Sequence, residues 1–127
     1  MKTFRELTVW QQAHALVLGI YRATTTFPSH ERYGLVSQMR RSATSIAANI
    51  VEGHKRKGRK EFLNFLNMAD GSLEELKYYL IVAKDLNYLV PTAMEPLHTQ
   101  TEVVGRMLGG LKRHVQRQVL DAIPLRT

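Results

Sequence analysis

Cysteine is absent from the chain of 127 residues, which excludes disulfide frameworks and metal sites built on thiolates. No apolar run approaches the roughly 20 residues that a membrane-spanning helix needs. The first ten residues carry charges where a signal peptide would have an apolar stretch. These absences predict a soluble cytoplasmic protein without a membrane partner, and the length suits one domain with one hydrophobic core.

Patterns typical of β-strands are also nearly missing, because valine and isoleucine rarely alternate with polar residues. Apolar residues recur instead at helical spacing in four blocks. This spacing predicts an all-α fold, an up-down-up-down left-handed four-helix bundle. The predicted helices span residues 7–25, 30–55, 59–87 and 92–118. Ser29 is the expected N-cap of the second helix, with Glu31 in its first turn. The bundle domain is expected to cover residues 1–119, and residues 120–127 are expected to form a loose C-terminal tail.

Each predicted helix has one seam of apolar or small residues at steps of three and four. These seams are the predicted core, and glycine or alanine within them indicates close helix packing, inside the bundle or across an oligomer interface. The seam positions are Trp10, Ala13, Val17, Ile20 and Thr24; Val36, Met39, Ala43, Ile46, Ile50 and Gly53; Phe62, Phe65 or Leu66, Ala69, Leu73, Leu76, Leu80 and Ala83; and Met94, Leu97, Thr101, Val104, Leu108, Leu111 and Val115.

Acidic residues are too few to balance the basic ones, which leaves a net charge of +7. In the predicted topology, the start of helix 1, the turn between helices 2 and 3 and the end of helix 4 share one end of the bundle. We name that end the basic pole. It collects ten basic residues against three acidic ones, Glu6, Glu52 and Glu61, and the rest of the chain carries equal numbers of basic and acidic residues. The basic residues of the pole are Lys2, Arg5, Lys55, Arg56, Lys57, Arg59, Lys60, Lys112, Arg113 and Arg117.

Two interpretations of the basic pole stay open. Concentrated positive charge attracts polyanions, whereas cations at the C-terminal ends of helices 2 and 4 compensate the helix dipole without any ligand. The second interpretation does not explain Arg59 and Lys60, which begin helix 3. Aromatic residues do not interleave with the charges, so phosphate contact is expected rather than base stacking. The candidate nucleic-acid contacts are Lys55, Arg56, Lys57, Arg59, Lys60, Lys112, Arg113 and Arg117.

Polar residues form a stripe beside the seams of helices 2 and 3. They indicate hydrogen bonds between helices or between subunits, and the alternative is a boundary layer half in water. The stripe consists of Ser42, Ser45, Asn49 and Glu52 on helix 2 and Ser72, Glu75 and Tyr79 on helix 3.

Catalytic and metal-binding motifs are scarce. Neither His-Glu-x-x-His nor a glycine-rich phosphate loop occurs. A di-iron bundle needs two Glu-x-x-His motifs, and one occurs, at Glu95 and His98. Glu52 and His54 lie two apart on a helix, so they do not face each other. The sequence therefore predicts no catalytic residue, metal, cofactor or small-molecule substrate.

Three segments carry a family resemblance: "RELTVWQQA", "FPSHERYGLVSQMRRSATSIAANIVEG" and "KEFLNFLNMADGSLEELKYYL". They resemble the 23S rRNA-intervening sequence protein family over roughly residues 4–90. The matching positions are Ser45, Ile46, Asn49, Ile50, Glu52 and Gly53, then Glu61, Phe62, Phe65, Leu66, Ala69, Gly71, Ser72, Leu73, Glu75 and Leu76.

The resemblance implies a cytoplasmic bundle that assembles as a homopentamer. It also implies similarity to the accessory protein of diversity-generating retroelements, a basic pentameric barrel that binds nucleic acid and a reverse transcriptase. It assigns structural or interfacial roles to the polar residues Ser45, Asn49, Glu52, Ser72 and Glu75.

The resulting hypothesis is a non-enzymatic oligomer that binds RNA or DNA through the basic pole. The alternative hypothesis is a protein-interaction scaffold on which the same pole docks an acidic protein. An enzyme that uses His54 is the third hypothesis, and loss of an activity on His54→Ala would be needed to support it.

Overall fold

The computed structural model describes residues 3–124, and within that range the fold consists of α-helices without a β-strand. The four helices are α1, Thr8–Thr24; α2, Leu35–Lys55; α3, Arg59–Asp85; and α4, Pro91–Asp121. Single turns of 3-10 helix, Phe4–Glu6 and Ser29–Glu31, precede α1 and α2. None of these helices is long and apolar enough to cross a membrane.

One core holds the helices together, because α1 packs on α2, α2 on α3, α3 on α4 and α4 on α1. The seam residues predicted from spacing supply most of this core. Leu66 is fully buried whereas Phe65 is half-buried, so Leu66 is the core residue of that pair. Trp10, Met94 and Leu111 are also half-buried and cover the core rather than fill it.

Polar groups in the core are satisfied within their own helices. Thr24 donates its hydroxyl to the Ile20 carbonyl at 2.8 Å, and Thr101 donates to the His98 carbonyl at 2.6 Å. In the part of the chain that the structure describes, no buried side-chain nitrogen or oxygen lacks a partner. The core therefore carries no desolvation penalty from unpaired polar side chains.

The predicted start of α2 is wrong by five residues. Ser29 is not an N-cap but the first residue of a 3-10 turn, and α2 begins after Gly34, which makes no side-chain cap. Glu31 lies before the helix, where its Oε1 accepts the Leu35 backbone N–H at 3.3 Å. Spacing did not reveal this boundary because residues 29–33 are polar or exposed and have no seam to interrupt.

The end of α3 follows from local backbone chemistry. Asn87 adopts φ 62°, and the Tyr88 N–H donates to the Ala83 carbonyl at 2.9 Å. Asparagine tolerates the left-handed region better than most residues, which makes it a good helix stop. α4 continues to Asp121, so the predicted tail begins too early: Leu120 and Asp121 are helical, and residues 125–127 lie outside the described range.

Tyr88 joins the α3–α4 turn to the segment before α2. Its hydroxyl donates to Glu31 Oε2 at 2.9 Å, and its ring packs against Phe27 at a centroid distance of 5.3 Å. The hydrogen bond to Glu31, with some burial, raises the pKa of Tyr88. Glu31 therefore contacts two parts of the fold, because its other oxygen, Oε1, accepts the backbone N–H of Leu35 at the start of α2.

We expect the phenol of Tyr88 to titrate at lower pH in Glu31→Gln than in the wild type, because the carboxylate that favours the neutral phenol is gone. The folded-state pKa is the raised one, so this stabilisation is present below about pH 10 and is lost as pH rises through that pKa. Ultraviolet absorbance titration of tyrosinate measures the shift. Glu75→Gln is the matched control, since it should lower the pKa of Tyr79 instead; equal titration curves in all three proteins would contradict the assignment.

Candidate nucleic-acid interface

A short basic turn joins α2 to α3. α2 ends at Lys55, the Arg56 N–H donates to the Gly53 carbonyl at 3.1 Å, and α3 begins at Arg59. Lys55 thus lies in the last turn of α2, where a cation complements the helix dipole. Arg59 and Lys60 lie in the first turn of α3, at the positive end of the dipole, where the dipole does not favour them.

Gly53 sets how closely α2 and α3 approach beside this turn. It is buried, and a Cβ built on it would lie 2.8 Å from Phe65 Cβ and 2.9 Å from Phe62 Cδ1. Real Cβ contacts are longer than this, so a larger residue would push the helices apart. The absence of a side chain at Gly53 therefore lets both phenylalanines lie directly under the turn.

Each phenylalanine carries an arginine on its ring. The guanidinium carbon of Arg56 lies 4.8 Å from the Phe65 ring centroid, and that of Arg59 lies 5.4 Å from the Phe62 centroid. Arg56 also pairs with Glu52 at 3.5 Å. Stacking on a ring orders a guanidinium before it meets an anion, which lowers the entropic cost of binding. Spacing identified the two phenylalanines as seam residues and missed this second role.

The lysines of the turn are arranged differently. Lys55, Lys57 and Lys60 are exposed, and among residues 3–124 none of them has an ion-pair or hydrogen-bond partner. Their charges are consequently not neutralised within the described part of the chain. The turn therefore combines two arginines stacked on aromatic rings with three exposed, unpaired ammonium groups.

The end of α4 reaches the same place. Arg59 Nη1 donates to Gln118 Oε1 at 3.4 Å, and Arg117 is the exposed neighbour of Gln118. Asp121, expected in the tail, instead ends α4 and adds an acidic residue near this end. Phe4 and Lys55 line one cavity of about 610 Å³, so the N-terminal turn also meets the end of α2.

Two predicted contacts on α4 lie farther along the helix. Lys112 Nζ pairs with Asp70 Oδ2 at 2.9 Å, and Asp70 is eleven residues into α3, about 16 Å from Arg59. The charge of Lys112 is therefore balanced locally, away from the turn, because α4 runs past it for nine more residues. Arg113 is exposed at the same level. Lys2, also assigned to the basic pole, lies outside the described residues.

The predicted polar stripe lies along the α2–α3 contact. Ser45 and Ser72 share a hydrogen bond of 2.8 Å between their hydroxyl oxygens, and Asn49 Nδ2 donates to both the carbonyl and the hydroxyl of Ser45 at 2.8 and 3.1 Å. Glu75 accepts the Tyr79 hydroxyl at 3.0 Å, and burial first, then this bond, raises the pKa of Tyr79. Glu52 instead pairs with Arg56 at the basic turn.

We expect Ser72→Ala to lower the free energy of unfolding by about 1 kcal/mol, because the hydroxyl of Ser45 loses its partner across the helices. A double-mutant cycle with Ser45→Ala should give a coupling energy of about 0.5 to 1 kcal/mol. Urea denaturation measures both values. Ser37→Ala is the matched control on α2, and a coupling energy of zero between Ser45 and Ser72 would show that the bond contributes nothing to stability.

Residues that prompted the enzyme hypotheses remain scattered. Glu95 and His98 lie near the start of α4, and His98 Nε2 approaches Glu102 Oε1 at 3.6 Å. His54 is half-buried beside Lys55. Within the described range, no group of three or more His, Asp or Glu side chains is placed to hold a metal ion.

A family model described as 23S rRNA-intervening sequence protein matches residues 5–110. The chain belongs to this family. The match covers all of α1, α2 and α3 and most of α4, so the basic turn and the polar stripe both lie inside the family region. Among curated proteins, none matches the chain significantly.

A solved structure shares the fold of this family member. It is a protein of unknown function from the S23 ribosomal protein family of Bacteroides thetaiotaomicron VPI-5482. The likeness has a TM-score of 0.76 at 23% identity and covers 83% of this chain and 95% of that one. At this identity the likeness establishes the arrangement of helices and carries no activity to this chain.

Proposed function

We propose that this family member is a non-enzymatic, oligomeric cytoplasmic protein that binds RNA or DNA by contacts to the phosphate backbone. The observation that carries the proposal is the basic turn itself. Three exposed lysines without partners among the described residues surround two arginines that are stacked on phenylalanine rings. Phosphate is the anion that such a combination of stacked guanidinium and exposed ammonium groups suits best.

The placement of Arg59 and Lys60 supports an anionic partner. Both cations occupy the positive end of the α3 dipole, where the helix itself favours an anion. A bound phosphate would interact favourably with the exposed backbone N–H groups and with both side chains. Dipole compensation alone leaves these two positions unexplained.

The proposed bundle topology is up-down-up-down with left-handed packing. Three neighbouring contacts support the alternation of direction: Gly53 against Phe62, Ser45 with Ser72, and Arg59 with Gln118. Along the first two contacts the residue number falls on α2 from 53 to 45 as it rises on α3 from 62 to 72, so these helices are antiparallel. The third contact joins the start of α3 to the end of α4, so these two helices are also antiparallel. With this topology the N-terminal turn, the basic turn and the end of α4 form one pole.

The proposed assembly is a homo-oligomer, a pentamer by family resemblance, in which each copy adds one pole. Exposed apolar side chains on α3, Met68, Tyr78 and Ile81, support self-association. Repetition of the pole around a ring would multiply its charge and strengthen binding to a polyanion.

The test combines light scattering with a nucleic-acid titration on the same sample. We expect one defined oligomer and binding whose log K falls with log salt at a slope of about −3 to −4, for about four duplex phosphate contacts per site. Absence of binding to both RNA and DNA at low salt would overturn the proposal. Recovery of one acidic protein from extracts, insensitive to nuclease, would instead assign the pole to a protein partner.

A further inference from the structure

A second basic cluster lies on the α1–α2 side of the molecule, away from the basic pole. It surrounds a cleft of about 390 Å³ whose lining includes Tyr21, Arg32, Tyr33, Arg40, Arg41 and Thr44. No acidic residue of the described chain lines the cleft. Arg40 and Lys55 are fifteen residues apart on α2, so the cleft lies about 22 Å from the basic turn.

Arg40 is held in a fixed orientation at the base of the cleft. Its Nε donates to Thr24 Oγ1 at 3.0 Å, its Nη2 donates to the Tyr21 carbonyl at 3.4 Å, and its guanidinium carbon lies 4.6 Å from the Tyr21 ring centroid. Its Nη1 has no hydrogen-bond partner within residues 3–124. Arg32 and Arg41 are exposed on either side of it in sequence and line the same cleft.

Tyr33 presents an aromatic ring to solvent beside these cations. It is 88% exposed, more than any other large apolar or aromatic side chain in the described range. Glu31, the nearest carboxylate in sequence, accepts the Leu35 N–H and the Tyr88 hydroxyl and forms no ion pair with these arginines. Among the described residues, Arg32, Arg40 and Arg41 form no ion pair, so no direct carboxylate contact neutralises the positive charge around Tyr33.

Cations interleaved with exposed aromatic rings are typical of surfaces that bind single-stranded nucleic acid, because phosphates pair with the cations and bases stack on the rings. We propose that this cleft binds one nucleotide of a single strand, with its phosphate on Arg32, Arg40 and Arg41 and its base on Tyr33. The inference rests on the proposed function, since the same strand would also contact the basic pole. It adds a preference for single strands, because bases within a duplex are already stacked on each other.

Binding of a fluorescein-labelled uridine 15-mer, of its duplex with the complementary strand and of an abasic 15-mer tests the cleft. We expect Tyr33→Leu to weaken uridine-strand binding about 5- to 100-fold and to leave duplex and abasic binding unchanged. Tyr33→Phe should restore binding, because it keeps the ring. Arg32→Gln should weaken binding to the uridine and abasic strands alike and lower the salt slope by about 0.7. Lys84→Gln, which removes an exposed cation near the end of α3, is the matched control for Arg32→Gln.

Equal uridine-strand affinity in Tyr33→Leu and the wild type would overturn the cleft while leaving the basic pole intact. A wild-type protein that binds neither strand nor duplex would overturn the proposed function as well. If Tyr33→Leu keeps full affinity but changes the mass measured by light scattering, the cleft is a contact between copies of the chain and the proposal is wrong.

Discussion

Replacing Lys55, Lys57 and Lys60 with glutamine should weaken duplex binding about 100- to 1,000-fold at 0.1 M salt. Each lysine that contacts a phosphate releases counterions, and the slope of log K against log salt changes by about 0.9 for each contact. Loss of three contacts should therefore make the slope shallower by about 2.7. Fluorescence anisotropy at four or five salt concentrations measures both quantities.

These lysines suit the test because they have no partner within the described residues and are exposed, so glutamine leaves the fold unchanged. The matched control is Lys77→Gln, Lys84→Gln and Arg106→Gln, which removes the same net charge from other surfaces. If both triple variants lose affinity equally, overall charge drives the binding and the basic turn has no special role. Unchanged nucleic-acid affinity at low salt after charge reversal of all five cations of the turn would overturn the proposal. These cations are Lys55, Arg56, Lys57, Arg59 and Lys60.

Gly53→Ala should lower the free energy of unfolding by about 1 to 3 kcal/mol, although alanine is the better helix former. The new Cβ would lie 2.8 Å from Phe65 Cβ and 2.9 Å from Phe62 Cδ1. Phe65 Cβ is fixed to its own backbone, so α2 and α3 must separate, and overpacking of this kind costs about 1 to 3 kcal/mol. Urea denaturation with unchanged m measures the loss.

Gly71→Ala is the matched substitution with the opposite expected sign. Gly71 is exposed within α3, and nothing lies within 4 Å of the Cβ that alanine adds. Removal of a mid-helix glycine should therefore stabilise the protein by about 1 kcal/mol. If Gly53→Ala proves as stabilising as Gly71→Ala, the helices tolerate separation and Gly53 does not hold the phenylalanines under the turn.

Gly53→Ala should also weaken nucleic-acid binding, because Phe62 and Phe65 carry Arg59 and Arg56. A shift of both rings would release the guanidinium groups from their ordered positions. Comparison of binding with Gly71→Ala, at a temperature where both variants are folded, separates this effect from simple unfolding.

Spacing alone predicted the helices because one property, burial of every third or fourth residue, governs a packed helix along its whole length. Ile46, Leu73 and Leu108 were assigned to the core from spacing and are fully buried. The start of α2 was mispredicted because residues 29–33 have no seam, and the hydrogen bonds of Glu31 with Leu35 and Tyr88 decide that boundary. Tyr88 lies 57 residues after Glu31 in the chain.

The candidate site likewise has a part that the sequence predicts and a part that only the tertiary structure defines. The sequence by itself determined the basic turn, since Lys55, Lys57 and Lys60 lie within six consecutive residues and their charges remain together in any fold. It also determined the family, through residues 5–110. Tertiary structure alone decided that Lys112 pairs with Asp70 rather than joining the turn.

Tertiary structure also decided that arginines stack on Phe62 and Phe65 and that Arg32, Arg40 and Arg41 meet Tyr21 and Tyr33 around one cleft. The physical reason is that charge and helical period are properties of neighbours in sequence, whereas ion pairs, stacking and clefts depend on the distance between residues that only packing brings together.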